Sequence, residues 1–243
     1  MVNDPIEYAE SWSFKSKNVA ENFDQHVTQS VPLYNEIQRM VTEMSTYFIR
    51  DGDVVLDIGA STGTTIRSID INNDRKHIQY IAIDESQEMV DVCNRNLNEF
   101  ISKFNNTEVI CADLNQGMPS IKTSGEYSFV ISLFTLQFLK KEKRLNVLRD
   151  ICRNIRDGGA IVFVEKVLAN DAHFNEMMID LYHDMKLRNG LTAENNQKKS
   201  KSLRGVMTPI ALEENRRLLV SAGFNRVDLF FKWYNFAGFI ATK

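Results

Sequence analysis

The chain has little of what marks a disulfide-rich, metal-binding or membrane-inserted protein. Three of its 243 residues are cysteine and four are histidine. Cys93, Cys111 and Cys152 sit in apolar patterns without metal-ligand spacing, which reads as reduced core thiols, and the scattered histidines suggest no metal site. No apolar run is long enough to span a bilayer, and Met1–Glu10 is polar, without the apolar core of an export signal. A cytoplasmic protein with no membrane association follows as an expectation. The formal net charge is only -3. That gives no direct nucleic-acid signature, although a local basic patch can hide in a neutral average. There is no internal repeat and no low-complexity segment. A length of 243 residues suits a single domain with an ample core.

What is present is organised around Val54-Val55-Leu56-Asp57-Ile58-Gly59-Ala60-Ser61-Thr62-Gly63. It begins as a buried parallel strand and ends in a turn with small residues at alternate places. A helix starting at Thr64 would turn its N-terminal N–H groups toward the same space. The plain alternative is a tight strand-to-helix turn, since short glycine patterns match by chance.

Ile78–Asp84 and Glu108–Asp113 read as second and third strands, each ending in an acid. Asp84 stands where a ribose-binding carboxylate is expected, and Asp113 where an adenine amine can donate. The alternative for Asp84 is a helix cap, but Ser86 is better placed for that. Three consecutive strands ending in Asp57, Asp84 and Asp113 are harder to attribute to capping alone.

Tyr127–Leu133 and Ala160–Val164 continue the series. The helix between them is expected to stop at Asp157-Gly158-Gly159. Alternation of strands and helices predicts a mostly parallel, doubly wound sheet.

Residues 1–30 read as an arm over the domain, with aromatics at Tyr8, Trp12, Phe14 and Phe23 and weak helix near Val19–Val27. A helix carrying Leu33, Ile37, Val41, Met44, Tyr47 and Phe48 follows, with Pro32 in its first turn. Residues 172–205 form a cover: an amphipathic helix with Phe174, Met177, Leu181, Tyr182 and Met185, then a basic run with Lys199 and Arg204. That run is either a solvated face or an anion-binding lid. Thr208-Pro209 is expected to open a helix that Gly223 stops. Arg226–Trp233 and Asn235–Thr242 close the chain as a hairpin.

Several stretches resemble the carboxy-S-adenosyl-L-methionine synthase family of class I S-adenosylmethionine-dependent methyltransferases. They are Ser30-Val31-Pro32-Leu33-Tyr34, Asp57-Ile58-Gly59-Ala60-Ser61, Ile83-Asp84-Glu85-Ser86, Phe134-Thr135-Leu136-Gln137-Phe138-Leu139, His183-Asp184-Met185-Lys186 and Tyr234-Asn235-Phe236, collinear over almost the whole chain. The resemblance implies an α/β Rossmann-like fold with a seven-stranded sheet. It also implies a homodimer, S-adenosyl-L-methionine, and a role in wobble-uridine modification of tRNA. It places the cofactor on Tyr34, Gly59, Ala60, Ser61, Asp84, Glu85, Asp113 and Leu114, to which the turn itself adds Asp57 and Gly63.

The sequence departs from the family at Ala60, Leu133 and Ser200, where the family has Cys, Asn and a carboxylate-binding Arg. A one-residue shift puts Lys199 in place of that Arg. Lysine lacks the guanidinium fork, so methyl transfer to an unidentified small-molecule acceptor is favoured over carboxyl transfer from prephenate. A non-catalytic cofactor-binding dimer is a further alternative. Lys199, Arg204 and His183 are the candidates for binding an anionic substrate, and no catalytic residue is identified.

Overall fold

The computed structural model describes residue 6 and residues 12–243. Tyr8 therefore lies outside the described residues. Strands β1 (Val54–Ile58), β2 (Gln79–Asp84), β3 (Asn106–Cys111), β4 (Tyr127–Leu133), β5 (Ile155–Leu168), β7 (Arg226–Trp233) and β8 (Phe236–Thr242) form one sheet in the order β3-β2-β1-β4-β5-β8-β7. A two-residue strand, β6 (Ile210–Ala211), pairs with the end of β5. The pairs among β1 to β5 are parallel, and β8 runs antiparallel to both β5 and β7. This is the expected Rossmann-like sheet with a closing hairpin.

Alternate residues of each central strand feed opposite cores, as the two-residue period of a strand requires. Val54, Leu56 and Ile58 face Leu148 and Ile151 of α5 (Lys141–Asn154) and Leu219 of α8 (Leu212–Ala222). Val55, Phe129 and Ile131 face Ile37 and Val41 of α2 (Tyr34–Ser45), Ile66 of α3 (Thr64–Ile71) and Cys93 of α4 (Gln87–Phe100). All these side chains are buried. The strand order reverses between β1 and β4, and open α/β sheets hold ligands in the crevice at such a point.

Several local expectations are corrected. Helix α5 ends at Asn154, and β5 starts at once with Ile155, so Gly158 and Gly159 are not a helix stop. They form a bulge: the register moves from Tyr127 opposite Ile155 to Phe129 opposite Ala160. Gly158 takes φ +72, and a Cβ on Gly159 would lie 2.7 Å from Ile155 Cγ2. The buried Ile155 side chain draws the strand in early.

Thr208-Pro209 does not open α8, which begins at Leu212. The Thr208 carbonyl and hydroxyl instead accept from Arg144, and β6 intervenes. Gly223 does end the helix, at φ +114.

Pro32 precedes α2 rather than entering it. Leu33 takes φ 53 at the cap, the helix stops at Ser45, and Tyr47 is exposed. Cys111 is exposed because β3 is the edge strand, whereas Cys93 and Cys152 are buried.

The arm contains α1 (Lys17–Ser30), longer than expected. In α6 (Ala172–Arg188) only the C-terminal half of the apolar stripe is covered. Tyr182 and Met185 pack on Phe236, while Phe174, Met177 and Leu181 are exposed. Helix α7 (Ala193–Ser202) follows. Among the described residues no helix is long and apolar enough to cross a membrane.

Candidate active site

The carboxyl ends of β1, β2, β4 and β5 open into one cavity, roofed by α1, α6 and α7. Its floor is the glycine turn. Gly59 takes φ +72, and its N–H and that of Ala60 both donate to Ile83 O, at 2.7 and 3.0 Å. Thr135 Oγ1 donates to Ile58 O at 2.8 Å, so the segment after β4 presses on the turn. A Cβ on Gly59 would lie 2.6 Å from Thr135 Cγ2. Only a glycine leaves both the backbone angle and the gap intact.

Asp84 is held rather than free. Its Oδ2 accepts from Ser61 N and its Oδ1 from Ser86 N, both at 3.0 Å. Ser61 itself takes φ 49. Ser86 is the cap of α4, accepting from Met89 N, so Asp84 is not needed there. Each carboxylate oxygen keeps a second lone pair for a ligand hydroxyl. Asp113 accepts from Asn115 N and Nδ2, capping the short turn Leu114–Gln116. It lines the cavity all the same.

Of the cofactor candidates, Tyr34, Asp57, Gly59, Ala60, Ser61, Asp84, Glu85, Asp113 and Leu114 all line this cavity. Gly63 does not. It caps α3 at φ +79, and a Cβ there would press on Cys93 and Leu97. Among the anion candidates, Lys199 lines the cavity, with its ammonium over the Trp12 ring. Arg204 is exposed and stands outside the lining, as does His183, whose ring lies beside Tyr182. Of the positions that depart from the family, Leu133 and Ala60 line the cavity and Ser200 is exposed.

Gln38, Lys166 and Glu165 were missed in the sequence, and Tyr182 was read only as part of the helical cover. Gln38 donates from Nε2 to Tyr34 OH at 3.0 Å, and its buried Oε1 has no partner among the described residues. Tyr182 enters from α6, its hydroxyl donating to Ser30 O at 2.9 Å. Lys166 comes from the end of β5. Beside it, fully buried Glu165 accepts the backbone N–H groups of Thr135, Leu136 and Gln137 at 2.8–3.1 Å. Glu165 thereby fixes the Phe134-Thr135-Leu136-Gln137 segment against the glycine turn. Glu165 and Lys166 directly follow Ala160–Val164, the strand expected from sequence, and the rule that singled out Asp57, Asp84 and Asp113 applied to them equally.

Charge is divided across the cavity. Asp57 and Asp84 lie in the ends of β1 and β2, Glu85 and Asp113 lie just beyond β2 and β3, and Lys166 and Lys199 lie on β5 and α7. Burial pushes Asp57 well above the carboxylate range, and Asp84 adds to this. Asp84 is raised by burial, against the pull of its amide partners. Burial pushes Glu165 up to about 8, opposed by the Gln137 and Leu136 amides and Arg144.

All three groups therefore bind protons more tightly when folded. Their contribution to stability is complete below the unfolded carboxylate range and is lost as pH rises through the folded values. We expect the melting temperature of the ligand-free protein to fall between about pH 5 and pH 8, with a shallower slope in Glu165→Gln. Equal slopes in thermal melts of the two proteins would contradict this.

Residues 55–159 match the methyltransferase domain family. An O-methyltransferase family protein from Burkholderia thailandensis has a TM-score of 0.66 at 13% identity, covering 94% of this chain and 60% of that one. Human N-acetylserotonin methyltransferase in complex with SAM has a TM-score of 0.62 at 15% identity, covering 95% and 57%. At these identities the likeness is one of fold, and this chain spans about 60% of the length of those structures. Fold, cavity and domain match define a class I S-adenosylmethionine-dependent transferase of the methyltransferase type.

The chain is also 38% identical to the carboxy-S-adenosyl-L-methionine synthase of Staphylococcus epidermidis, over 96% of its own length and 97% of the relative. It is 38% identical to that of Methylococcus capsulatus over the full length of both. The chain belongs to the carboxy-S-adenosyl-L-methionine synthase family.

Proposed function

We propose that S-adenosylmethionine lies across the turn, with its ribose on Asp84, its adenine between Asp113 and Leu114, and its methionine tail by Tyr34 and Gln38. The unpartnered Gln38 Oε1 suits the ammonium of that tail. The bound cofactor supplies a one-carbon group activated by its sulfonium. Glu165 and Gly59 keep the turn and the Phe134 segment in register, and the aromatic wall of Phe134, Tyr182 and Phe236 keeps water from that group.

The transferred group we favour is a carboxyl taken from prephenate, giving carboxy-S-adenosyl-L-methionine. One C–C bond forms at the methyl carbon, and the donor's ring carbon–carboxyl bond breaks. The ring hydroxyl leaves as water with the proton given up by the methyl, and phenylpyruvate remains. The observation that carries this reading is the 38% identity to two carboxy-S-adenosyl-L-methionine synthases over almost the whole chain, and the lysines of the cavity lining, Lys166 and Lys199, are the cations available to a carboxylate. Methyl transfer to another acceptor is the second reading. Leu133 and the exposed Ser200 favour it, because they remove the amide and the guanidinium of the family pattern.

Incubation with S-adenosylmethionine and prephenate is expected to yield a nucleoside heavier than the cofactor by one carboxylate, as read by mass spectrometry. Unaltered cofactor in that mixture, or only the demethylated nucleoside, would count against carboxyl transfer.

Around this site we place one domain over residues 1–243, with 1–30 as arm and 172–205 as cover. A cytoplasmic homodimer that feeds tRNA wobble-uridine modification completes the reading, and the exposed Phe174, Met177 and Leu181 of α6 suit a subunit contact.

A further inference from the structure

We propose that Lys166 is the residue that recognises the carboxylate of the small molecule reacting with the cofactor. The assignment deepens the transfer reaction proposed above and rests on it for the identity of the partner. Lys166 extends from the end of β5 into the cavity, on the far side of the topological switch from the strand-end acids. Its Nζ lies over the Tyr182 ring, 4.7 Å from the centroid. No carboxylate among the described residues forms an ion pair with it. A second ammonium, that of Lys186, lies over the same ring, also at 4.7 Å.

Burial and Lys186 both hold the Lys166 ammonium below the usual lysine range, against the pull of Tyr182. A lysine kept in such surroundings without a counter-ion is costly to the fold. An anionic ligand removes that cost by supplying the missing charge and accepting two or three hydrogen bonds from the ammonium. Phe134 and Phe236, packed edge to face at 6.0 Å with Tyr182 against Phe236 at 5.2 Å, form an aromatic wall beside it. The compartment therefore takes a carboxylate carried on a ring or other apolar body. In the orientation proposed above, Gln38 and Tyr34 serve the cofactor's tail, which leaves Lys166 for the second molecule.

The test uses the full-length protein saturated with S-adenosylhomocysteine and calorimetric titration of prephenate and of phenylpyruvate. Wild type is expected to bind at least one of them. Lys166→Met is expected to weaken that binding roughly 10- to 150-fold, the range of a lost charge-assisted hydrogen bond. Its melting temperature should be unchanged or raised and its affinity for S-adenosylhomocysteine unchanged, while Lys166→Arg retains carboxylate binding to within about tenfold.

The assignment is overturned if Lys166→Met binds the carboxylates as wild type does, or if wild type binds neither of them. It is equally overturned if the variant loses affinity for S-adenosylhomocysteine instead, which would make Lys166 the anchor of the cofactor's own carboxylate. Formation of the heavier nucleoside with an unchanged KM for prephenate in Lys166→Met would sink this assignment and leave carboxyl transfer standing. Lysine-dependent binding without that nucleoside would do the reverse.

Discussion

Asp84→Ala is expected to weaken S-adenosylhomocysteine binding roughly 30- to 1000-fold, equivalent to about 2–4 kcal/mol, because two charge-assisted hydrogen bonds to the ribose are lost. The estimate includes a second effect. Asp84 also accepts from Ser61 N and Ser86 N, so its removal leaves two amides without their partner and loosens the turn that holds the ligand. Asp84→Asn separates the two contributions. The amide keeps the shape and one acceptor oxygen but turns a donor toward one of those N–H groups, so an intermediate loss is expected. Titration calorimetry at matched melting temperature decides the matter, and an Asp84→Ala protein with wild-type affinity would remove Asp84 from the site.

Gly59→Ala is expected to have a comparably large effect by a different route. The φ of +72 costs a non-glycine residue about 1–2 kcal/mol. The added Cβ meets the side chain of Thr135, 2.6 Å from Cγ2. Thr135 has little room to yield. Its hydroxyl bonds Ile58 O and its N–H bonds Glu165, so the clash spreads to the whole Phe134–Gln137 segment. Both a lowered melting temperature and a loss of cofactor affinity of about 100-fold or more are expected. Gly125→Ala is the matched control, since nothing lies within 4 Å of a Cβ there. If Gly59→Ala melted and bound like Gly125→Ala, the close approach of the two segments would not matter to the site.

The parts of the molecule that could be read in advance are those set by local chemistry. The run Val54–Ile58 has five fully buried aliphatic or acidic positions, and a strand of that kind is recognisable from its residues alone. The strand-end acids were found because one rule about open α/β sheets covers them together. Lys166 and Glu165 directly follow the expected strand Ala160–Val164, yet β5 continues through them to Leu168, paired with β8 as far as Lys166 and with β6 beyond it. That extension comes from tertiary pairing and leaves no mark in the local pattern. The glycine pair Gly158-Gly159 looked like a helix stop for a similar reason. A bulge and a helix end use the same residues, and only the burial of Ile155 decides between them. Gln38 was hidden by its place on α2, where a glutamine among apolar residues reads as surface. Its role depends on Tyr34 one turn earlier, which Pro32 and the left-handed Leu33 turn toward the cavity.

The proposed orientation of the cofactor is tested most directly by a crystal structure of the protein with S-adenosylhomocysteine bound. The charge division of the cavity predicts the ribose hydroxyls on Asp84, the adenine against Leu114 within reach of Asp113, and the sulfur directed toward Phe134, Tyr182 and Lys166. A ligand with its ribose away from Asp84, or with its adenosine in the lysine-bearing half, would contradict that orientation.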